Sequence, residues 1–284
     1  MLLSTSACGK VERQPVETGQ PAADPAAVTG AADLQRAAGL RLPEAHRVAG
    51  ASHVVVSEGG QALETLDEQT LVERDVRGVV HAVYTNSRDQ GRELFSAGDT
   101  VWVRPRYGKF HRRPPAEPGE AERVAAEIGG VFAAHVELCA SGLAVREAGT
   151  TTVAGRPARR LLLGRGTARA MPPHTAPQRA WRDGLTVDAL EGEVLLDAAT
   201  GAVLLGRLAA RLGFIRDGRH LEMTLSSTQE VQAVGAVSLM PPPDEHSSPT
   251  PTRSTEFEDR ESLLSGLAAP ARRSPVPPAR GTRP

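Results

Sequence analysis

Between residues 46 and 240 apolar side chains return at every second position in one stretch after another, and a period of two dictates strands with one apolar and one wet face. In 202–214, Leu204, Leu208, Leu212 and Phe214 fall on one side while Arg207 and Arg211 fall on the other. In 221–225, Leu221, Met223 and Leu225 alternate with Glu222 and Thr224. Gly, Asp and Asn bound each run, so strands are predicted at 53–57, 63–74, 79–87, 92–97, 100–104, 109–113, 143–147, 156–163, 192–197, 202–215 and 221–231. Turns such as Gly98-Asp99, Ala154-Gly155 and Asp217-Gly218 join neighbours, which makes a long antiparallel meander.

One helix is predicted to interrupt it, over 117–141, opened by Pro118 with Glu120 and Glu122 in its first turns and closed by Gly142. Val124, Ile128, Val131, Phe132, His135, Leu138 and Cys139 recur at spacings of three and four and form its apolar stripe. Gly129-Gly130 costs about 1 kcal/mol per Gly relative to Ala. The pair marks a kink, a close approach to a strand, or a division into two short helices. The expected fold class is α+β: a curved antiparallel β-sheet, a half-barrel, with one long helix packed on its concave face, spanning 46–240.

The flanks have another composition. Residues 9–45 are interrupted by Pro and Gly and have too little apolar area to offset ordering entropy, so they are expected to be a disordered tether with at most a short helix around 33–38. Residues 241–284 hold ten prolines and are expected to be a disordered tail. Acidic and basic residues are spread along a chain of formal net charge -1, with no basic block flanked by aromatics, so nucleic acid is not an expected partner. Cys8 and Cys139 are the two cysteines, which allows neither zinc spacing nor a disulfide framework. Nowhere do about 18 apolar residues run together.

Ser6 and Ala7 followed by Cys8 and then a polar tether resemble the end of a bacterial lipobox, although Thr5 stands where Leu is usual. The resemblance implies that residues 1–8 are the remnant of a signal segment whose start lies further upstream. It also implies that the Cys8 thiol is acylated and that the protein is held to a membrane of the cell envelope on the periplasmic side. Each acyl CH2 contributes about 0.8 kcal/mol, so two or more chains make such an anchor long-lived.

Asp99-Thr-Val-Trp-Val-Arg-Pro-Arg-Tyr-Gly-Lys-Phe, Thr152-Val-Ala-Gly-Arg-Pro-Ala-Arg-Arg-Leu and Leu196-Asp-Ala-Ala-Thr-Gly-Ala-Val-Leu resemble strand-and-turn regions of the LolA-like family. That family comprises lipoprotein carriers and their relatives, including mycobacterial lipid-binding lipoproteins. Its carriers line their cavity with aromatics, whereas aromatics make up 3% of this chain. The resemblance implies a non-enzymatic protein without cofactor that holds a lipid or other apolar ligand between helix and sheet. The expected lining is Val124, Ile128, Phe132, Leu204, Leu208, Phe214, Leu221, Met223 and Leu225. A filled core at the same positions is the alternative; the protein would then present its surface and Pro-rich tail to an envelope partner.

No catalytic or metal-binding motif appears: there is no Gly-x-Ser-x-Gly elbow, His-Glu-x-x-His helix, Walker loop or dinucleotide fingerprint. His135 and Cys139 share a helix face, but Glu137 points away from both, and a core Cys beside a helix-edge His is the plainer reading. Trp102, Arg104, Arg106, Tyr107 and Lys109 form an aromatic and cationic cluster at a strand end, suited to surface contact with a lipid phosphate, a glycan or a protein; the alternative is a Trp that fills the sheet core with the arginines in solvent. Trp181, in the long Pro-rich loop 166–184, is a candidate for a contact or lid residue.

Overall fold

The connection from the sixth strand to the seventh sets the architecture, because it must pass from one edge of the sheet to the other. In the computed structural model, which describes residues 28–167, 175–242 and 247–248, the strands are β1 (His46–Glu58), β2 (Gln61–Arg74), β3 (Val80–Asn86), β4 (Gly91–Ala97), β5 (Thr100–Pro105), β6 (Phe110–Arg113), β7 (Leu143–Val153), β8 (Arg156–Arg165), β9 (Thr186–Asp197), β10 (Val203–Arg216), β11 (Arg219–Val234) and a two-residue β12 (Ser247–Ser248). Their order is β12-β6-β5-β4-β3-β2-β1-β11-β10-β9-β8-β7. Two meanders, β1 to β6 and β7 to β11, therefore meet where β1 pairs antiparallel with β11, and the sheet is left open. Only the short β12 pairs parallel, with β6.

The eleven predicted strands are all present, several of them longer than their apolar alternation suggests. β1 starts at His46 and β9 at Thr186, because polar residues such as Arg47, Thr186 and Glu191 pair in the ladder as readily as apolar ones.

The helical crossover lies on one face. The single helix expected over 117–141 is two: α2 (Glu120–Gly129) and α3 (Val131–Leu138). At Gly130 the backbone leaves helical geometry (φ -78°, ψ 10°), and a Cβ there would sit 2.9 Å from the Ala126 carbonyl oxygen. A Cβ on Gly129 would lie 3.2 Å from Val72 Cγ2, so this glycine lets the end of α2 sit against β2. The break re-aims the chain: α2 packs on β2, β3 and β4, and α3 packs on β1, β10 and β11. α3 is seated by Phe132, whose ring lies where a Cβ on Gly206 would be, 2.7 Å from Cζ.

The fold also begins before the boundary expected at residue 46. A further helix, α1 (Ala31–Gly39), packs against α3 and contributes Leu34, 1% exposed, to the main core. The stretch expected as a loop at 166–184 contains α4 (Ala176–Arg182), opened by a capping box between Thr175 and Gln178. Cys8 and most of the tail from 243 lie outside the described residues.

Candidate functional site

The nine residues expected to line a ligand cavity are all buried, at most 8% exposed. They fall into three packed clusters. Phe132, Leu208, Phe214, Leu221, Met223 and Leu225 join Leu34, Val54, Leu66 and Trp181 in the main core. Val124 and Ile128 pack with Val72, Val80, Ala82 and Leu94 beneath α2. Leu204 belongs to a cluster with Leu42, Ala158, Leu195, Ala202 and Val231.

The open volume on this face lies beside those clusters. A cleft of about 280 Å³ runs between the C-terminal end of α1, the α2–α3 break and the inner ends of β1, β2 and β11. Its apolar wall includes Leu40, Val48, Val72, Ala126, Val203 and Val231, with the backbone of Gly129 and Gly130 above; none of the nine expected residues lines it. Small-molecule sites measure about 300–1,000 Å³, so this cleft is near the lower end.

Polar groups gather at one end of the cleft. His46 and Arg74 are cross-strand partners in β1 and β2, and both line it, as does Arg41. Glu122 of α2 binds both arginines through one oxygen: Oε2 is 2.7 Å from Arg41 Nη1 and accepts a hydrogen bond from Arg74 Nη1 at 2.5 Å. Burial pulls the Arg74 guanidinium below its usual range, and the neighbouring Arg41 charge adds to this against the Glu122 carboxylate. Burial likewise lowers His46; the Glu44 carbonyl, 2.8 Å from Nδ1, opposes this, while the Arg74 and Arg41 charges reinforce it. Sequence reading missed these residues. The available signal was parity, since Arg74 shares the inward phase of Leu66 and Val72 and so faces the helices.

The same face carries a buried polar row. Ser52, Glu68 and Asn86 are cross-strand neighbours on β1, β2 and β3. Glu68, 1% exposed, accepts hydrogen bonds from Ser52 Oγ at 2.7 Å and from Tyr84 Oη at 3.0 Å. His135 and Cys139 are both fully buried on the α3 side. Burial pushes the Cys139 thiol up to about 12, far from a nucleophile's range. Among the described residues no group of three or more potential ligands is placed to hold a metal ion.

The proposed surface cluster divides. Trp102 is not at the surface: it is 6% exposed and stands edge-on to Phe95, in a cluster closed by Val237 and Leu239 on the opposite face of the sheet. Arg104, two residues on and so on the same face, reaches the rim, while Val237 and Leu239 pack with the Trp102 ring. Arg104 pairs with Glu93 and lies over the Phe110 ring at 4.4 Å. Arg106 and Tyr107 remain at a hairpin tip; Arg106 donates to the Asn86 carbonyl at 2.7 Å, and Tyr107, 74% exposed, donates to Asp89 at 2.9 Å. Trp181, a contact or lid candidate by its place in the chain, is buried instead: at 1% exposure it packs edge-on against Phe214, because α4 turns it into the main core.

Beside Trp102, His81 Nδ1 lies 2.8 Å from Glu73 and Nε2 lies 2.8 Å from Glu93. Burial acts to lower His81, but the two carboxylates outweigh it and hold the imidazole above its usual value. His81, Glu93 and Phe110 floor an open groove of about 570 Å³ rimmed by residues 238–242.

No family model matches the chain, and no curated protein matches it. Among solved structures it is similar to MucB, at 18% identity over 80% of this chain and 63% of that one, with a TM-score of 0.25. It is similar to LprF from Mycobacterium bovis, at 14% identity over 75% of this chain and 96% of that one, with a TM-score of 0.22. A LolA superfamily protein from Nitrosomonas europaea is similar at 11% identity over 73% of this chain and 96% of that one, with a TM-score of 0.22. The last of these carries the name of the group that the sequence resembles.

Proposed function

We propose that this is a non-enzymatic lipoprotein of the bacterial cell envelope, anchored on the periplasmic side through an acylated Cys8, whose helices and sheet hold a small apolar group. The observation that carries the reading is the cleft at the α2–α3 break, where Val48, Val231 and Ala126 line open space beside the packed clusters. Such a site takes its affinity from apolar surface and its orientation from a few polar groups, here His46, Arg41 and Arg74. The nine residues of the packed clusters act as the frame that keeps helix and sheet in place. A second reading is favoured by that packing: a ligand-free protein that engages an envelope partner through its exposed edge, its hairpin tip and its tail.

Native mass spectrometry of the purified protein, followed by organic extraction, separates the two. A stoichiometric extra mass that extracts into organic solvent is expected. A bare mass that stays bare after incubation with short-chain phospholipid removes the ligand-binding reading and leaves the interaction reading.

A further inference from the structure

Resting on that reading of the cleft, we propose that its polar end is an anion subsite and that the ligand is an amphipathic anion, a short apolar chain ending in a carboxylate or phosphate. Arg41 and Arg74 are the charged residues that line the cleft, and no carboxylate lines it. Both guanidiniums reach one carboxylate oxygen, Glu122 Oε2, so two positive charges face one negative charge. His46 does not redress this, since its burial and both arginines favour the neutral ring.

The exposure of the three groups fits exchange of one anion for another. Arg74 is the inner group, its side chain 12% exposed, with Arg41 at 46% and Glu122 at 38% toward solvent. A guanidinium offers a fork of donors that matches a carboxylate or phosphate in two parallel bonds, and Glu122 uses a single oxygen for both arginines. An incoming anion therefore shares or displaces Glu122, while its chain lies along Val48 and Val231 beside the α2–α3 break. A cationic amphiphile meets repulsion there, and a neutral one gains only the apolar contact.

Isothermal titration calorimetry on the full chain tests this with octanoate, octyl phosphate, octanol, octyltrimethylammonium and inorganic phosphate. The expected order places both octyl anions at least tenfold tighter than octanol, with octyltrimethylammonium and inorganic phosphate weakest. Glu122→Gln removes the competing carboxylate and is expected to tighten octanoate severalfold without changing octanol. Arg41→Gln, at a half-exposed position, is expected to weaken octanoate and leave octanol as it was. Octanol binding as tightly as octanoate, or a Glu122→Gln protein indifferent to the anions, overturns the subsite and leaves the apolar cleft standing. Inorganic phosphate binding as tightly as octyl phosphate assigns the arginines to a free anion and overturns the amphiphile. If no octyl compound binds, the cleft reading falls and the subsite with it.

Discussion

At the scale of single residues, the arrangement with the clearest pH signature is His81 between Glu73 and Glu93. Arg47 reaches the same Glu73, and Arg104 the same Glu93, so five charged groups from β1 to β5 meet in one patch. Burial raises the two carboxylates, but His81 and the arginines outweigh it and hold both below their usual range. The contribution of His81 to stability is complete below its unfolded value of 6.5 and fades as pH rises through its higher folded value. The carboxylates contribute above their unfolded value of 4.5 and fade only as pH falls through their lower folded values. The patch stabilises the fold most between these limits. Urea midpoints measured from pH 5 to 8 are expected to fall above pH 6.5 in the native protein and to fall less in His81→Gln. Parallel profiles for the two proteins would show that the imidazole gains nothing from its carboxylates.

At the scale of elements, α1 belongs to the domain rather than to a tether. Leu34 is fully buried in the main core, so Leu34→Ala is expected to destabilise by about 2–5 kcal/mol, as core leucine truncations do. Chemical unfolding gives the value; a loss under 1 kcal/mol would mean that α1 rests on the surface. The reason this helix is hard to see in sequence is physical. Its nine residues AADLQRAAG are apolar mainly through alanine, and the weight of burial falls on one leucine whose partners are distant in the chain. The strands are easier to read, because β10 and β11 alternate buried and more exposed positions along most of their length. The two glycines at 129 and 130 mark a discontinuity, and the backbone geometry at Gly130, which the residue types alone leave open, makes it a division into two helices. The cleft was out of reach for a related reason. An empty volume is a property of how the elements fail to meet, and the nine apolar residues that strand alternation and the helix stripe pick out are those that fill space. For Trp102 the sequence leaves contact and core both open, and for Trp181 it shows only a Pro-rich setting; each is covered by residues remote in sequence, Val237 and Leu239 for the first and Phe214 for the second.

At the scale of the whole molecule, a chain that starts mid-sheet and runs its helices from one edge to the other ties both meanders to one layer of side chains. Eleven strands at about 4.8 Å would set β6 and β7 roughly 48 Å apart in a flat sheet, whereas α2 and α3 together extend about 27 Å. The helices thus act as a strap across the sheet, and movement of that strap is the motion that would widen the cleft. Cys139, at the end of α3 and 0% exposed, sits under it with a thiol raised to about 12. A thiol in that position reacts only when the helix lifts, which makes it a clock built into the molecule. In the native protein a thiol reagent is expected to label Cys139 far more slowly than in urea, at a rate set by local opening. Occupation of the cleft would slow that clock further, so the time course of a single chemical reaction reports how often this domain opens and whether anything is inside when it closes.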